Sequence, residues 1–210
     1  MDKARFEFRI FAPYDGVPDK LLTFTHYFGA PVFQQSADTY FLTRGQADLN
    51  VKIRDGRLSI KSRVECRSGF ERWRSLGIVD FPLTSEWDDF LRQRCHYPDA
   101  LLATATDPRS FVDAAERSST VFVAHTRKHR WKFQLGRLSG EVARVAVNGA
   151  AFSSSLLESA DLETITAAMA NVGLEGQTNL SFPAMLQQSL GLMALPHSVT
   201  QRLDPDTSSR

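Results

Sequence analysis

Cysteine is scarce in this chain, with only Cys66 and Cys95 among 210 residues. Two such positions supply neither a metal-binding spacing nor a disulfide framework. No apolar run approaches the ~20 residues needed to cross a bilayer. At the N-terminus Arg5, Glu7 and Arg9 interrupt the apolar residues, so a signal-peptide pattern is lacking as well. These absences lead to the expectation of a cytoplasmic protein. The glycines form neither GxGxxG nor a P-loop, which disfavours a Rossmann or Walker nucleotide site. Ser153-Ser154-Ser155 is not a nucleophile elbow, and zinc is not expected.

Hydrophobic residues make up 42% and charged residues 23% of the chain, the balance of an ordinary globular domain. The length suits one sizeable core, and the expectation is a single domain over residues 1–199 with a disordered tail at 200–210. The net charge of +1 conceals an uneven distribution. Between Arg44 and Arg74 nine Lys/Arg face four Asp/Glu, a local surplus suited to anionic partners.

Alternation with a period of two dominates the pattern. Arg5, Glu7 and Arg9 share one strand face and Phe6, Phe8 and Ile10 the other. Strands are expected at about 39–43, 47–54, 57–66, 70–81, 120–127, 130–135, 140–147 and 151–158. Asp55-Gly56 and Asn148-Gly149 are hairpin turns, because these residues tolerate positive φ. Helices are expected from Pro18 to Phe28, from Ser85, around 110–116, from Asp161 to Val172 and over 182–190. Many strands with helices outside them predict an α+β fold built on a closed antiparallel sheet.

Charges recur on one face of several strands: Lys52 and Arg54, Lys61 and Arg63, Arg5 to Arg9, His125 and Arg127. Apolar helices would cover the opposite faces, which turns the charged faces toward a concave interior. Like charges gathered there repel unless an anion neutralises them. Glu7, Glu65, Glu71, Glu141 and Glu158 are interleaved among them. Converging carboxylates would need a hard cation such as Mg²⁺ or Mn²⁺. The run Arg127-Lys128-His129-Arg130-Trp131-Lys132 mixes cations with an aromatic, but reads first as a solvated hairpin, so nucleic acid is not the expected partner.

In order and spacing these residues resemble the CYTH, or triphosphate tunnel metalloenzyme, superfamily. Arg5-Phe6-Glu7-Phe8-Arg9 stands at its ExExK strand, Lys52-Ile53-Arg54 at its RxR strand and Lys61 at the partner lysine. Glu71 resembles the next acidic strand, His125-Thr126-Arg127 stands where KxR is expected, and Glu141 and Glu158 resemble the late carboxylates. The likeness runs from Arg5 to Gly191. Arg5 replaces the first glutamate, and His125 the lysine of KxR.

The resemblance implies an eight-stranded antiparallel tunnel with charged side chains pointing inward. It implies a triphosphate-bearing small molecule or polyphosphate as ligand, held by Arg9, Lys52, Arg54, Lys61 and Arg127. It further implies Mg²⁺ or Mn²⁺ on Glu7, Glu71, Glu141 and Glu158, with Glu7, Glu71 and Glu158 as the catalytic set for phosphoanhydride hydrolysis. Because of Arg5, the alternative is a tunnel that only binds or senses an anion.

Overall fold

A computed structural model describes residues 4–193; the expected tail at 200–210 lies outside the described residues. Eight strands close into an antiparallel barrel in the order β1-β5-β4-β3-β2-β6-β7-β8, with β8 pairing back onto β1. The strands are β1 (Arg5–Pro13), β2 (Val32–Thr43), β3 (Leu49–Arg54), β4 (Arg57–Arg67), β5 (Phe70–Val79), β6 (Val121–Leu135), β7 (Leu138–Val147) and β8 (Ala150–Ser159). The turn residues Asp55 and Gly56 both take positive φ, and so do Asn148 and Gly149. That twist matches the strands on either side, so each hairpin closes in two residues.

Helices pack on the outside, as the α+β reading expects. Helix α1 (Val17–Phe28) follows β1. Helices α2 (Ser85–Cys95), α3 (Asp99–Leu102) and α4 (Pro108–Glu116) fill the crossover from β5 to β6. Helices α5 (Leu162–Met169) and α6 (Phe182–Ser189) follow β8. The N-cap Asp107 accepts from the N–H groups of Arg109 and Ser110, satisfying donors the helix start of α4 leaves free. Among the described residues no helix is long and apolar enough to cross a membrane.

Two apolar clusters lie between barrel and helices. One joins Val51, Ile53, Leu58 and Ile60 to Leu91 of α2 and Phe111 of α4. The other joins Phe6, Phe8, Phe70 and Phe133 to Phe24 of α1 and Ile165 of α5. Each fully buried Ile, Leu or Phe contributes roughly 1.5–3 kcal/mol, so these clusters fix which strand face turns outward. Helices come so close that two strand positions need glycine: a Cβ on Gly140 would lie 2.9 Å from the Phe28 ring, and one on Gly77 2.7 Å from Trp87.

The third cluster is different in kind. It fills one end of the barrel's interior, where Tyr40, Leu42, Ala143 and Val145 meet Phe182, Met185 and Leu186 of α6. Helix α6 thus stoppers that end, and the barrel is a cup with one mouth.

The expected elements differ from the structure in four places. Strand β2 begins at Val32, seven residues before the expected start, because Val32–Asp38 pair with β6 as one long ladder. Residues 121–135 form one continuous strand, where two were expected. The expected helix ending at Val172 is α5, which ends at Met169, and α3 was not anticipated.

Candidate functional site

The inward faces above the α6 stopper enclose a cavity of about 390 Å³. Its lining carries seven basic side chains, Arg9, Lys52, Arg54, Arg57, Lys61, Lys128 and Arg130, against four acidic ones, Glu7, Asp55, Glu141 and Glu158. The strand period of two places them: the apolar residues between them are committed to the outer clusters, so the charged neighbours have no direction left but inward.

Asp38 anchors the basic wall. Its side chain is fully buried and pairs with Lys52 at 3.3 Å, with Lys128 at 3.5 Å, and through both oxygens with the Arg54 guanidinium. Burial alone would raise this carboxyl, but the Arg54 hydrogen bond and the Lys52 and Lys128 charges hold it far below the usual range. The register explains the grouping, since Asp38 stands opposite Arg54 and Tyr40 opposite Lys52.

The floor is aromatic. Tyr40 stacks on Phe182 with ring centroids 5.0 Å apart. The Lys128 ammonium lies 3.5 Å from the Phe182 centroid and donates to the Tyr40 hydroxyl at 2.7 Å. Burial, and then the nearby Lys52 charge, push the Lys128 ammonium well below its ordinary value. Lys52 is lowered to about 8, chiefly by burial and only partly restored by Asp38. Burial and Asp38 push the Tyr40 phenol up, so it stays protonated.

The carboxylates form a second band. Glu7 stands opposite both Glu71 on β5 and Glu158 on β8. Each of these acids already has a cation. Arg9 donates to Glu7 at 3.0 Å, Arg63 to Glu71 at 2.6 Å, and Arg130 to Glu141 at 2.8 Å, while Arg5 pairs with Glu158 at 2.9 Å. Burial and the Glu7 charge raise the Glu158 carboxyl. At Glu141 burial is outweighed by Arg9 and Arg130, so its carboxyl sits low.

No protein-family model matches the chain, and no curated protein matches it. Several solved structures resemble it. The PH1012 protein of Pyrococcus horikoshii OT3 gives a TM-score of 0.46 at 16% identity, over 85% of this chain and 94% of that one. A candidate adenylate cyclase from Bacillus halodurans gives 0.45 at 11%, over 87% and 95%. The S. pombe Pct1 RNA triphosphatase, in complex with the Spt5 CTD, gives 0.33 at 9%, over 90% and 81%. At such scores the fold is decided by the barrel itself, whose eight antiparallel strands close around inward-facing charges. The fold is a closed eight-stranded antiparallel tunnel with helices outside it.

Within this barrel the expected basic residues Arg9, Lys52, Arg54 and Lys61 all line the cavity, but Arg127 does not. Arg127 is exposed on the outer face, as is His125, which pairs instead with Glu116. Strand β6 presents its even-numbered residues to the interior, so Lys128 and Arg130, rather than His125 and Arg127, face the cavity. The odd positions Val121 and Phe133 belong to the outer apolar clusters, and that sets the parity. His125 and His129 are also four apart, but in a strand this separates them by roughly 13 Å.

Of the expected metal set, Glu7, Glu141 and Glu158 line the cavity, while Glu71 is held outside its lining by Arg63 and the Trp73 indole N–H. Among the described residues no three His, Cys, Asp or Glu side chains come close enough together to hold a metal ion. With an arginine on every one of these carboxylates, the donor set does not fit Mg²⁺ or Mn²⁺. Asp38, Tyr40, Lys128, Arg130 and Phe182 are site residues that the sequence reading missed. The alternation Asp38-x-Tyr40 and Lys128-x-Arg130, read against the apolar odd positions of β6, was the signal for four of them.

Proposed function

We propose that the cup binds a phosphate-chain anion, a triphosphate-bearing small molecule or short polyphosphate, through Arg9, Lys52, Arg54, Lys61, Lys128 and Arg130. The observation that carries this reading is the surplus of cations in a cavity closed at one end. Lys61 is the clearest case, since it lines the cavity with no ion pair or hydrogen bond among the described residues. Lys52 and Lys128 share one carboxylate with Arg54. Such a set is relieved by several anionic oxygens entering together, and charge-assisted hydrogen bonds of this kind contribute about 1.5–3 kcal/mol each.

Calorimetric titration with tripolyphosphate, pyrophosphate and orthophosphate tests the reading. Affinity should rise with the number of phosphates and fall in Lys61→Ala. Absence of binding by all three, and by nucleoside triphosphates, would overturn it.

A second reading, phosphoanhydride hydrolysis, draws on Glu158. Its raised carboxyl faces Glu7 across the β1–β8 ladder, where it could take a proton from an attacking water. A panel of triphosphates assayed for phosphate release with Mg²⁺ and with Mn²⁺ decides it; no release from any of them would end the hydrolase reading while leaving the binder intact.

A further inference from the structure

The parity that sends Lys128 and Arg130 into the cup sends Arg127, His129 and Trp131 to the outer face. Helix α4 covers Val121 at one end of β6 and α1 covers Phe133 at the other. Between them the sheet surface is bare, with Arg127 and His129 exposed.

Side chains from other elements extend this strip into a continuous array. The Arg144 guanidinium of β7 lies between two rings, 5.1 Å from the Tyr14 centroid and 5.9 Å from that of Trp131. Phe33 of β2 packs against Trp131 at 5.4 Å and His129 at 5.9 Å. Tyr14 is 46% and Phe33 50% exposed. Arg127 stands beside Ala37 and Ala146, two small neighbours that leave it free of cover.

The charges of this strip are uncompensated. Among the described residues no ion pair involves Arg127, His129 or Arg144, and the buried Arg144 Nε has no hydrogen-bond partner. Several arginines elsewhere are tied to carboxylates, as at Arg57–Asp80, Arg92–Asp99 and Arg54–Asp38; what sets this strip apart is that its free cations alternate with exposed rings. A scatter of exposed rings would be ordinary, but rings interleaved with unpaired cations along one sheet face select for a ligand that is both flat and anionic. Bases of a single strand can lie on Tyr14, Phe33 and the edge of Trp131 while Arg127 and Arg144 meet its phosphates. A duplex keeps its base faces stacked and can offer only the phosphates.

We propose that the outer face of β2, β6 and β7 is a binding platform for single-stranded nucleic acid, separate from the cup. The test is fluorescence anisotropy with a labelled oligouridylate of about ten nucleotides, within the span of known single-strand sites, titrated across a salt series. Binding should weaken with salt. Phe33→Ala should cost about tenfold in affinity, in the range of one lost stacking partner. Arg127→Ala should also weaken binding and reduce the magnitude of the salt slope by about 0.7, the value for one phosphate contact on a single strand. Both residues lie outside the cup, so both variants should keep the wild-type melting temperature and tripolyphosphate affinity.

No binding at low salt overturns the proposal, and so does binding that neither variant changes. Equal affinity for a duplex of matched sequence would show charge attraction without a stacking platform, which also overturns it. Competition by tripolyphosphate together with loss in Lys61→Ala would place the strand's phosphates in the cup and overturn it too.

Discussion

The Asp38 carboxylate on β2 grips the Arg54 guanidinium on β3 with both oxygens, across directly paired positions of the two strands. One acid there orders three cations, because Lys52 and Lys128 close on the same group. Asp38→Asn leaves these three cations without the one carboxylate they share. Breaking a buried pair from one side costs about 3–5 kcal/mol. The variant should melt well below the wild type, and tripolyphosphate should raise its melting temperature by more than it raises that of the wild type. Equal melting temperatures without ligand would remove Asp38 from this role.

The parity of β6 makes a paired prediction. Lys128→Met keeps the bulk of the side chain on the Phe182 ring but removes its charge, and should weaken tripolyphosphate binding by about tenfold or more, the loss of one charged hydrogen bond. Arg127→Ala should change that affinity less than twofold, roughly the noise of such a comparison. Calorimetry on the two variants reads both; the reverse ranking would refute the inward placement of Lys128.

Proton linkage supplies a third. Lys52 titrates near 8 in the folded protein and near 10.5 when unperturbed, so the unfolded chain binds more protons between these values. The stability contribution of this group therefore rises with pH across that window, as the cost of burying the charge disappears. Anion binding runs the other way, because it favours the charged ammonium. Tripolyphosphate affinity should fall as pH rises through about 8, with proton uptake on binding. The pH slope should flatten in Lys52→Arg, whose guanidinium stays charged. Titrations in buffers of different ionisation enthalpy measure this uptake, and none at pH near 8 would contradict it.

Metal response is the fourth. Arg5 pairs with Glu158 and also donates to the Ser139 hydroxyl, so its guanidinium occupies the acidic end of the band. The stabilisation of the wild type by tripolyphosphate should be the same in EDTA and in Mg²⁺. R5E removes that cation and adds a third carboxylate beside Glu7 and Glu158; Mg²⁺ should then raise the melting temperature of the variant alone. A wild type that binds tripolyphosphate only with metal would show that the arginines yield to the ion.

Packing supplies the fifth. Gly140 faces the Phe28 and Phe24 rings of α1, and Gly140→Ala should destabilise by about 1–3 kcal/mol through overpacking. Thermal denaturation should show the drop with tripolyphosphate affinity preserved, since Gly140 points away from the cup.

Much of this was legible in the sequence because strands report their faces directly. Phe6, Phe8, Val51, Ile53, Leu58 and Ile60 alternate with charge so regularly that strands with one apolar and one charged face follow from period alone, and the helices expected outside them turn the charged faces inward. Strand β6 defeated that reasoning. Both of its parities carry cations, so local alternation was ambiguous, and the deciding residues, Val121 and Phe133, lie far from Arg127. Asp38 was missed because it follows the polar stretch Gln34-Gln35-Ser36 in its strand, which pairs through backbone rather than through apolar faces. The stopper was invisible for another reason: no local pattern in Phe182–Ser189 says that the helix enters the barrel rather than lying upon it.

That stopper has a kinetic consequence. With Phe182 and Leu186 sealing one end, entry and exit share a single doorway, and nothing can pass straight through. A long polymer can offer the interior only its tip. Whatever occupies the depth must retreat past Lys61 and Arg57 before the next molecule arrives, so residence time there is governed by withdrawal alone.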